Sequence, residues 1–230
     1  MALRTARRVP LNRDRVLRAA MRLVDEGGIE SLSMRKLGQA LGVEAMSLYN
    51  HVANKDDILS GIANLVLSEF ELPSPDEDWE TAVRKCAISA HDALLRHPWA
   101  CSLIMSTAGV RPAQLQYMES LMGRLRESGF SAEATYHAYH AIDSHILGFT
   151  IWQLGHVMPG DMPRVTNREG IAVFLATFLP GIRVDDYPYL LEHAEQHVIE
   201  GKHKEESAFD FGLRLILEGL RGMLDPPGAD

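Results

Sequence analysis

Residues 11–59 read LNRDRVLRAAMRLVDEGGIESLSMRKLGQALGVEAMSLYNHVANKDDIL. Asn12 stands as an N-cap, and Val16, Ala19, Ala20, Leu23 and Val24 follow it at helical spacing. Gly27-Gly28 stops that helix, and Ile29 and Leu32 carry apolar side chains into the next turn. Ser33 caps a short helix whose inner face is Met34, Leu37 and Leu41. Gly42-Val43 turns the chain into a second short helix, from Glu44 to Val52, with Leu48 and Val52 inward. Asn54 caps a longer helix in a capping-box-like arrangement with Asp57, and Ile58, Leu59, Ile62 and Leu65 form its buried face. Two short helices joined by a tight glycine turn behind a longer one make the helix-turn-helix pattern. The outward face of the second short helix holds Ala45, Met46, Ser47, Tyr49, Asn50 and His51. These side chains are small, hydrogen-bonding or methyl-contacting, the chemistry that meets base edges in a major groove. The pattern alone leaves a second reading open, a small helical hairpin in any α protein.

Outward from this run, residues 1–10 form an arginine-rich arm with no apolar period. The first 22 residues carry seven arginines against one acid, Asp14. The net charge of -8 argues against a nucleic-acid binder, but residues 1–67 hold ten Lys and Arg against seven Asp and Glu. A basic end on an acidic body is expected when only one part meets phosphate. Residues 71–78, with Pro73 and Pro75, break the helical pattern and are read as a linker between a head at 11–70 and a body at 79–224, with a short tail at 225–230. Helices are expected over 79–96, 98–107, 112–128, 132–156, 188–200 and 205–224; residues 157–187 read as a long connection with room for one short helix. No β-alternation is present, so the fold class is all-α. No stretch approaches the roughly 20 apolar residues of a membrane span, and no apolar segment follows the N-terminal arginines as in a secretory signal. With only Cys86 and Cys101, the chain is expected to keep reduced thiols in the cytoplasm.

The run from Leu11 to Leu59 resembles the DNA-binding domain of the tetracycline-repressor family almost position by position. The matching elements are Gly28-Ile29, Ser33 to Leu37, Leu41-Gly42-Val43, Ser47 to Val52 and Asn54-Lys55. The body carries looser matches in the right order: Gly109 to Pro112, Gln116-Tyr117, Glu127 to Ser131, His145 to Gly148, and the last helix from Phe209 to Met223. The resemblance implies a two-domain, Ω-shaped homodimer that binds a double-stranded, palindromic DNA operator and is released by a small molecule. It places a base-reading arginine at Arg35, where the guanidinium can grip guanine O6 and N7; a phosphate contact is the alternative. Ser47, Asn50 and His51 are hydrogen-bonding candidates, and Ala45 and Met46 candidates for thymine methyls. Tyr49, Lys55 and Ser33 are assigned to backbone phosphates, Lys55 and Ser33 because they start helices. Lys36 is a further contact or a solvated charge, and Arg4, Arg7 and Arg8 reach a groove or stay solvated.

In the body, Gly148 and Gly155 stand seven apart on one expected helix, and Gly212 and Gly219 seven apart on the last. Interior glycine costs a helix about 1 kcal/mol against alanine, so two such stripes suggest close backbone approach. The family arrangement is a four-helix dimer interface; packing within one subunit is the alternative. Rings and histidines crowd helix 132–156, and the effector is expected to be organic and partly apolar, against His91, Met105, Thr107, Arg111, Tyr136, Tyr139, His140 and Trp152. Core or interface filling is the other reading of each. Where tetracycline-binding members of the family hold magnesium with a histidine and an acid, this chain has Thr107 and Trp152. A metal-free, ring-lined pocket is therefore expected, with no cofactor; the pairs His193 and His197, and His137 and His140, lack the carboxylates or cysteines of a metal set. Two other functions remain in view at this point: a dimeric regulator without an effector, and a helical enzyme. The enzyme lacks any glycine-rich phosphate loop, nucleophile elbow or metal signature.

Overall fold

Side-chain caps decide where most of the helices begin. The structure, a computed structural model, describes residues 10–106, 109–155, 170, 171, 173, 186–192 and 207–224. Among them every regular element is helical: α1 (Arg13–Gly27), a 3-10 turn (Ile29–Ser31), α2 (Met34–Leu41), α3 (Ala45–Leu48), α4 (Lys55–Leu67), α5 (Trp79–Arg96), α6 (Ala100–Met105), α7 (Pro112–Glu127), α8 (Ala132–Gly155) and α9 (Ala208–Arg221). Asn12, Ser33 and Asn54 accept from the N–H groups of Arg15, Lys36 and Asp57 at 2.8, 3.2 and 2.8 Å, which satisfies first-turn donors of α1, α2 and α4. Asp78 does the same for α5, accepting from the N–H of Thr81 at 3.0 Å. Ser207 starts α9, accepting from the N–H of Asp210 at 3.0 Å, so that helix begins three residues later than the periodicity suggests.

The chain forms two compact units, one made of Met1–Gly155 with Gly212–Asp230, the other of His156–Phe211. In the first, Val16, Ala20, Val24, Leu37, Leu48, Ile58 and Ile62 are buried in one cluster that joins α1, α2, α3 and α4. The second cluster of the same unit buries Val83, Ala87, Ala90 and Leu94 of α5, Leu121 and Leu125 of α7, and Ile142 and Ile146 of α8. Trp79 closes its lower edge, its ring 5.0 Å from Phe130 at 79°. Helix α4 belongs to both clusters: its Ile58 and Ile62 lie in the first, and Asn64 accepts from the N–H of Ala113 at the start of α7, at 3.0 Å. The expected linker, 71–78, is irregular and lies between α4 and α5. In the second unit, residues 188–192 are helical with Leu191 buried; the rest of the expected 188–200 helix and most of the 157–187 connection lie outside the described residues.

Two further helices are clearly shorter than the periodicity predicts. Helix α6 spans Ala100–Met105 rather than 98–107, because Trp99 enters as a cap and Ser106 leaves in extended backbone. The second helix of the helix-turn-helix is α-helical only over Ala45–Leu48. Beyond it the winding tightens, with Tyr49 N–H bonding Met46 O at 3.3 Å and His51 N–H bonding Leu48 O at 2.9 Å. Ala53 N–H then turns to the Asp57 carboxylate at 2.8 Å, which ends the winding so that Asn54 can cap α4.

Candidate functional site

Glycine sets the spacing of α2 and α3. A Cβ on Gly38 would lie 2.8 Å from the Val43 carbonyl oxygen, so no other residue lets the turn close so near α2. Gly42 takes φ of 68° at the C-cap of α2, a left-handed conformation that only glycine adopts cheaply. With Leu48 and Val52 buried beneath, the opposite face of α3 is turned outward: Met46 is 74% exposed, Tyr49 48%, and Asn50 is exposed beside them. Ala45, Ser47 and His51 are half-buried along the same winding. Arg35, Lys36 and Ser33 are exposed on α2 and its cap, and Lys55 is half-buried in the first turn of α4. The ten DNA-side candidates thus fall on α2, its cap, α3 with the turn after it, and the start of α4. One residue outside that set fixes the arrangement. The Arg13 guanidinium grips both oxygens of Asp57 at 2.8 and 2.6 Å and donates to the His51 carbonyl at 3.2 Å, tying α1 to the end of α3 and the start of α4. The guanidinium and the Ala53 N–H together pull the Asp57 pKa down to about 2.

A cavity of about 200 Å³ lies in the body of the first unit. Its apolar wall comes from Leu67 and Phe70 at the end of α4, Leu94 of α5, Ile104 and Met105 of α6, and Ile146 and Leu147 of α8. Gln114 and Tyr117 of α7 and Tyr139 and Asp143 of α8 supply its polar atoms. The Phe70 and Tyr117 rings meet edge to face at 5.6 Å, and the Tyr117 hydroxyl donates to Asp143 Oδ1 at 3.4 Å. Burial raises the pKa of all three acids here: Asp143 above its ordinary range, Tyr117 well above, and Tyr139 to about 12.

Of the effector candidates, Met105 and Tyr139 line this cavity. His91 is buried elsewhere, its Nδ1 2.7 Å from Thr150 Oγ1. Tyr136, His140 and Trp152 lie exposed along α8; the Tyr136 and His140 rings are tilted at 45° with centroids 4.3 Å apart, and Trp152 lies 5.6 Å from the Phe149 ring. Arg111 is buried at the N-cap of α7, its Nη2 donating to the Leu103 carbonyl at 2.8 Å while Nε and Nη1 are buried without a hydrogen-bond partner. Thr107 lies outside the described residues. Sequence reasoning did not single out Gln114, Tyr117 or Asp143 for the pocket. The signal available was Tyr139 and Asp143 at i and i+4, on one face of α8.

A third cluster joins the helix-turn-helix to the body. Asp25, in the last turn of α1, receives His97 Nδ1 at 2.7 Å and the Trp99 indole N–H at 2.7 Å on the same oxygen. His97 Nε2 faces Glu69 Oε1 at 3.3 Å, and Arg96 donates to the other oxygen of Glu69 at 2.8 Å. A carboxylate at a helix C-terminus opposes the helix dipole, so Asp25 is held where α1 alone disfavours it.

Comparison with known proteins agrees with both halves. A family model described as bacterial regulatory proteins of the tetR family matches residues 16–62, and one described as the tetracyclin repressor-like C-terminal domain matches residues 72–224. The chain is 32% identical over 229 residues to the class D tetracycline repressor protein of Escherichia coli, covering 96% of this chain and 95% of that protein. Among solved structures, ActR of Streptomyces coelicolor in complex with actinorhodin is similar at 26% identity and a TM-score of 0.70, covering 95% of this chain and all of that one. A possible TetR family transcriptional regulator from Streptomyces coelicolor A3(2) is similar at 28% identity and a TM-score of 0.69, covering 92% of this chain and 99% of that one. The chain belongs to the tetracycline-repressor family, as a DNA-binding transcriptional repressor regulated by a small-molecule effector.

Proposed function

We propose that two copies of this chain grip a near-palindromic operator through α2, α3 and the start of α4, and release it when an organic, largely apolar effector occupies the cavity of the body. One observation carries this reading. Helix α4 starts at Lys55 beside the DNA-side residues, and its far end, with the turn after it, gives Leu67 and Phe70 to the cavity wall. A ligand that fits the cavity better with α4 shifted must bias the spacing of the two heads, by no more than its differential affinity for the two states. The cavity also weighs against a regulator without an effector, which needs only a filled core. No described helix is long and apolar enough to cross a membrane, in keeping with a protein that meets DNA in the cytoplasm.

The test begins with selection of the bound sequence from random DNA. Arg35→Ala should lose about 1–3 kcal/mol of preference at one base position, and Lys55→Ala should weaken all sequences alike and lower the salt slope by about one unit. Unchanged specificity in Arg35→Ala, with only the salt dependence altered, refutes base reading by Arg35. Release by an effector should be the same with magnesium and with a chelator. A strict need for a divalent ion refutes the metal-free pocket.

A further inference from the structure

Among the described residues, Asp143 is the only charged side chain on the cavity wall; the other polar groups there are the amide of Gln114 and the phenols of Tyr117 and Tyr139. Among the described residues its carboxyl has a single hydrogen bond, the 3.4 Å contact from Tyr117, near the outer limit for such a bond. Among the described residues no lysine, arginine or histidine forms an ion pair with it. His140, the nearest titratable base in its electrostatics, is exposed on α8 and directs Nδ1 to the Tyr136 carbonyl at 2.8 Å. Arg111, buried at the N-cap of α7, is not among the residues of the cavity wall. A carboxyl turned into an apolar space pays for its lost hydration unless something positive or hydrogen-bond-donating meets it.

Resting on the cavity as the effector site, we propose that the effector is an organic cation, a ring-bearing apolar molecule whose protonated amine pairs with Asp143. The ammonium supplies the donors the carboxylate lacks, and the low dielectric of the site strengthens the pair. The faces of Phe70, Tyr117 and Tyr139 offer further attraction to a cation, and Leu67, Leu94, Ile104 and Ile146 take the rings. An anionic molecule of the same shape meets repulsion from the Asp143 carboxylate, and a neutral alcohol gives it one hydrogen bond but no opposite charge. A site built around a buried polar group discriminates in this way against ligands that fail to answer it.

Three probes of one ring system separate the charges: 1-naphthylmethylamine, 1-naphthalenemethanol and 1-naphthoic acid, titrated calorimetrically into the full chain at neutral pH. The amine should bind at least about tenfold tighter than the alcohol, and the acid weakest of all. In Asp143→Asn the advantage of the amine over the alcohol should vanish while the alcohol still binds, which also shows that the variant is folded. Leu147→Trp, which fills the cavity and leaves the Asp143 carboxyl in place, should weaken amine and alcohol together. An amine preference that survives Asp143→Asn, or tighter binding of the acid than the amine, overturns the cation assignment and leaves the cavity reading standing. Failure of Leu147→Trp to weaken any probe, or no binding of any probe to the wild-type chain, overturns the cavity reading itself.

Discussion

Asp57 does three things at once: it accepts from Arg13 through both oxygens, accepts from the Ala53 N–H, and donates its own N–H to the Asn54 cap. Its pKa of about 2, against an ordinary 3.8, means that the folded chain takes up the proton less readily than the unfolded one. The stabilisation is therefore complete above the ordinary value and is lost as the pH falls through the folded one. Arg13 is 48% exposed, so solvent screening holds the gain to about 1 kcal/mol. Asp57→Asn keeps an acceptor for the Ala53 N–H but removes the charge. It should lower stability at neutral pH and flatten the loss of stability between pH 3.8 and about 2. Thermal melts across that range check it; equal acid slopes for the variant and the wild type mean that the pair carries no such coupling. The caps at Asn12, Ser33 and Asn54 were legible in the sequence because each bonds a donor three residues on. The Arg13–Asp57 pair was not, because its partners are 44 residues apart and only the packing of α1 on α4 brings them together.

Among the elements, α1 and α4 each make a second connection to the body, and the cavity touches only one of them. Helix α4 is part of the wall, whereas α1 reaches the body through Asp25, with His97 and Trp99 on one of its oxygens. A head attached at both points turns as one piece when α4 moves. Asp25→Ala leaves the buried cluster around Val16, Ala20 and Val24 intact, with Trp99 still packed against it, while removing the hydrogen bonds to His97 and Trp99. The variant should still bind operator DNA, but a given effector concentration should release it about threefold less readily, a loss of coupling of about 0.7 kcal/mol. Fluorescence anisotropy of labelled operator, titrated with effector, reads both quantities. Wild-type release from a variant with wild-type DNA affinity means that the cluster is only structural. The element pattern of the head was legible because apolar period, caps and glycine turns all agree there. The wall of the cavity was legible only in part. Tyr139 and Met105 carry ring and thioether chemistry that marks a pocket, whereas Asp143 reads on α8 as one more polar residue until α7 brings Tyr117 against it.

At the scale of the whole molecule, the four glycines taken as an interface divide by what surrounds them. A Cβ on Gly212 would lie 2.5 Å from His145 Cε1, so this position is filled by the protomer's own α8. A Cβ on Gly148, Gly155 or Gly219 would meet nothing within 4 Å, and all three are exposed. Ile151 on α8 and Leu215 on α9 are exposed as well, at 42% and 51%, so apolar surface accompanies the open glycines on both helices. A leucine at these open positions has room among the described residues, so any damage it does is expected to come from a second copy. Gly148→Leu and Gly219→Leu should therefore keep the helical content of the protomer, fail to dimerise, and lose operator affinity because one head alone makes half the contacts. Gly212→Leu should behave differently: it must displace His145, so it lowers the melting temperature before any question of assembly arises. Light scattering with thermal melts separates the two outcomes. Intact dimers in both Gly148→Leu and Gly219→Leu would place the subunit contact on another surface, whereas monomers that keep the wild-type helical content, and melt lower only by what association gave the dimer, support the open side of these helices as the place where the partner lies.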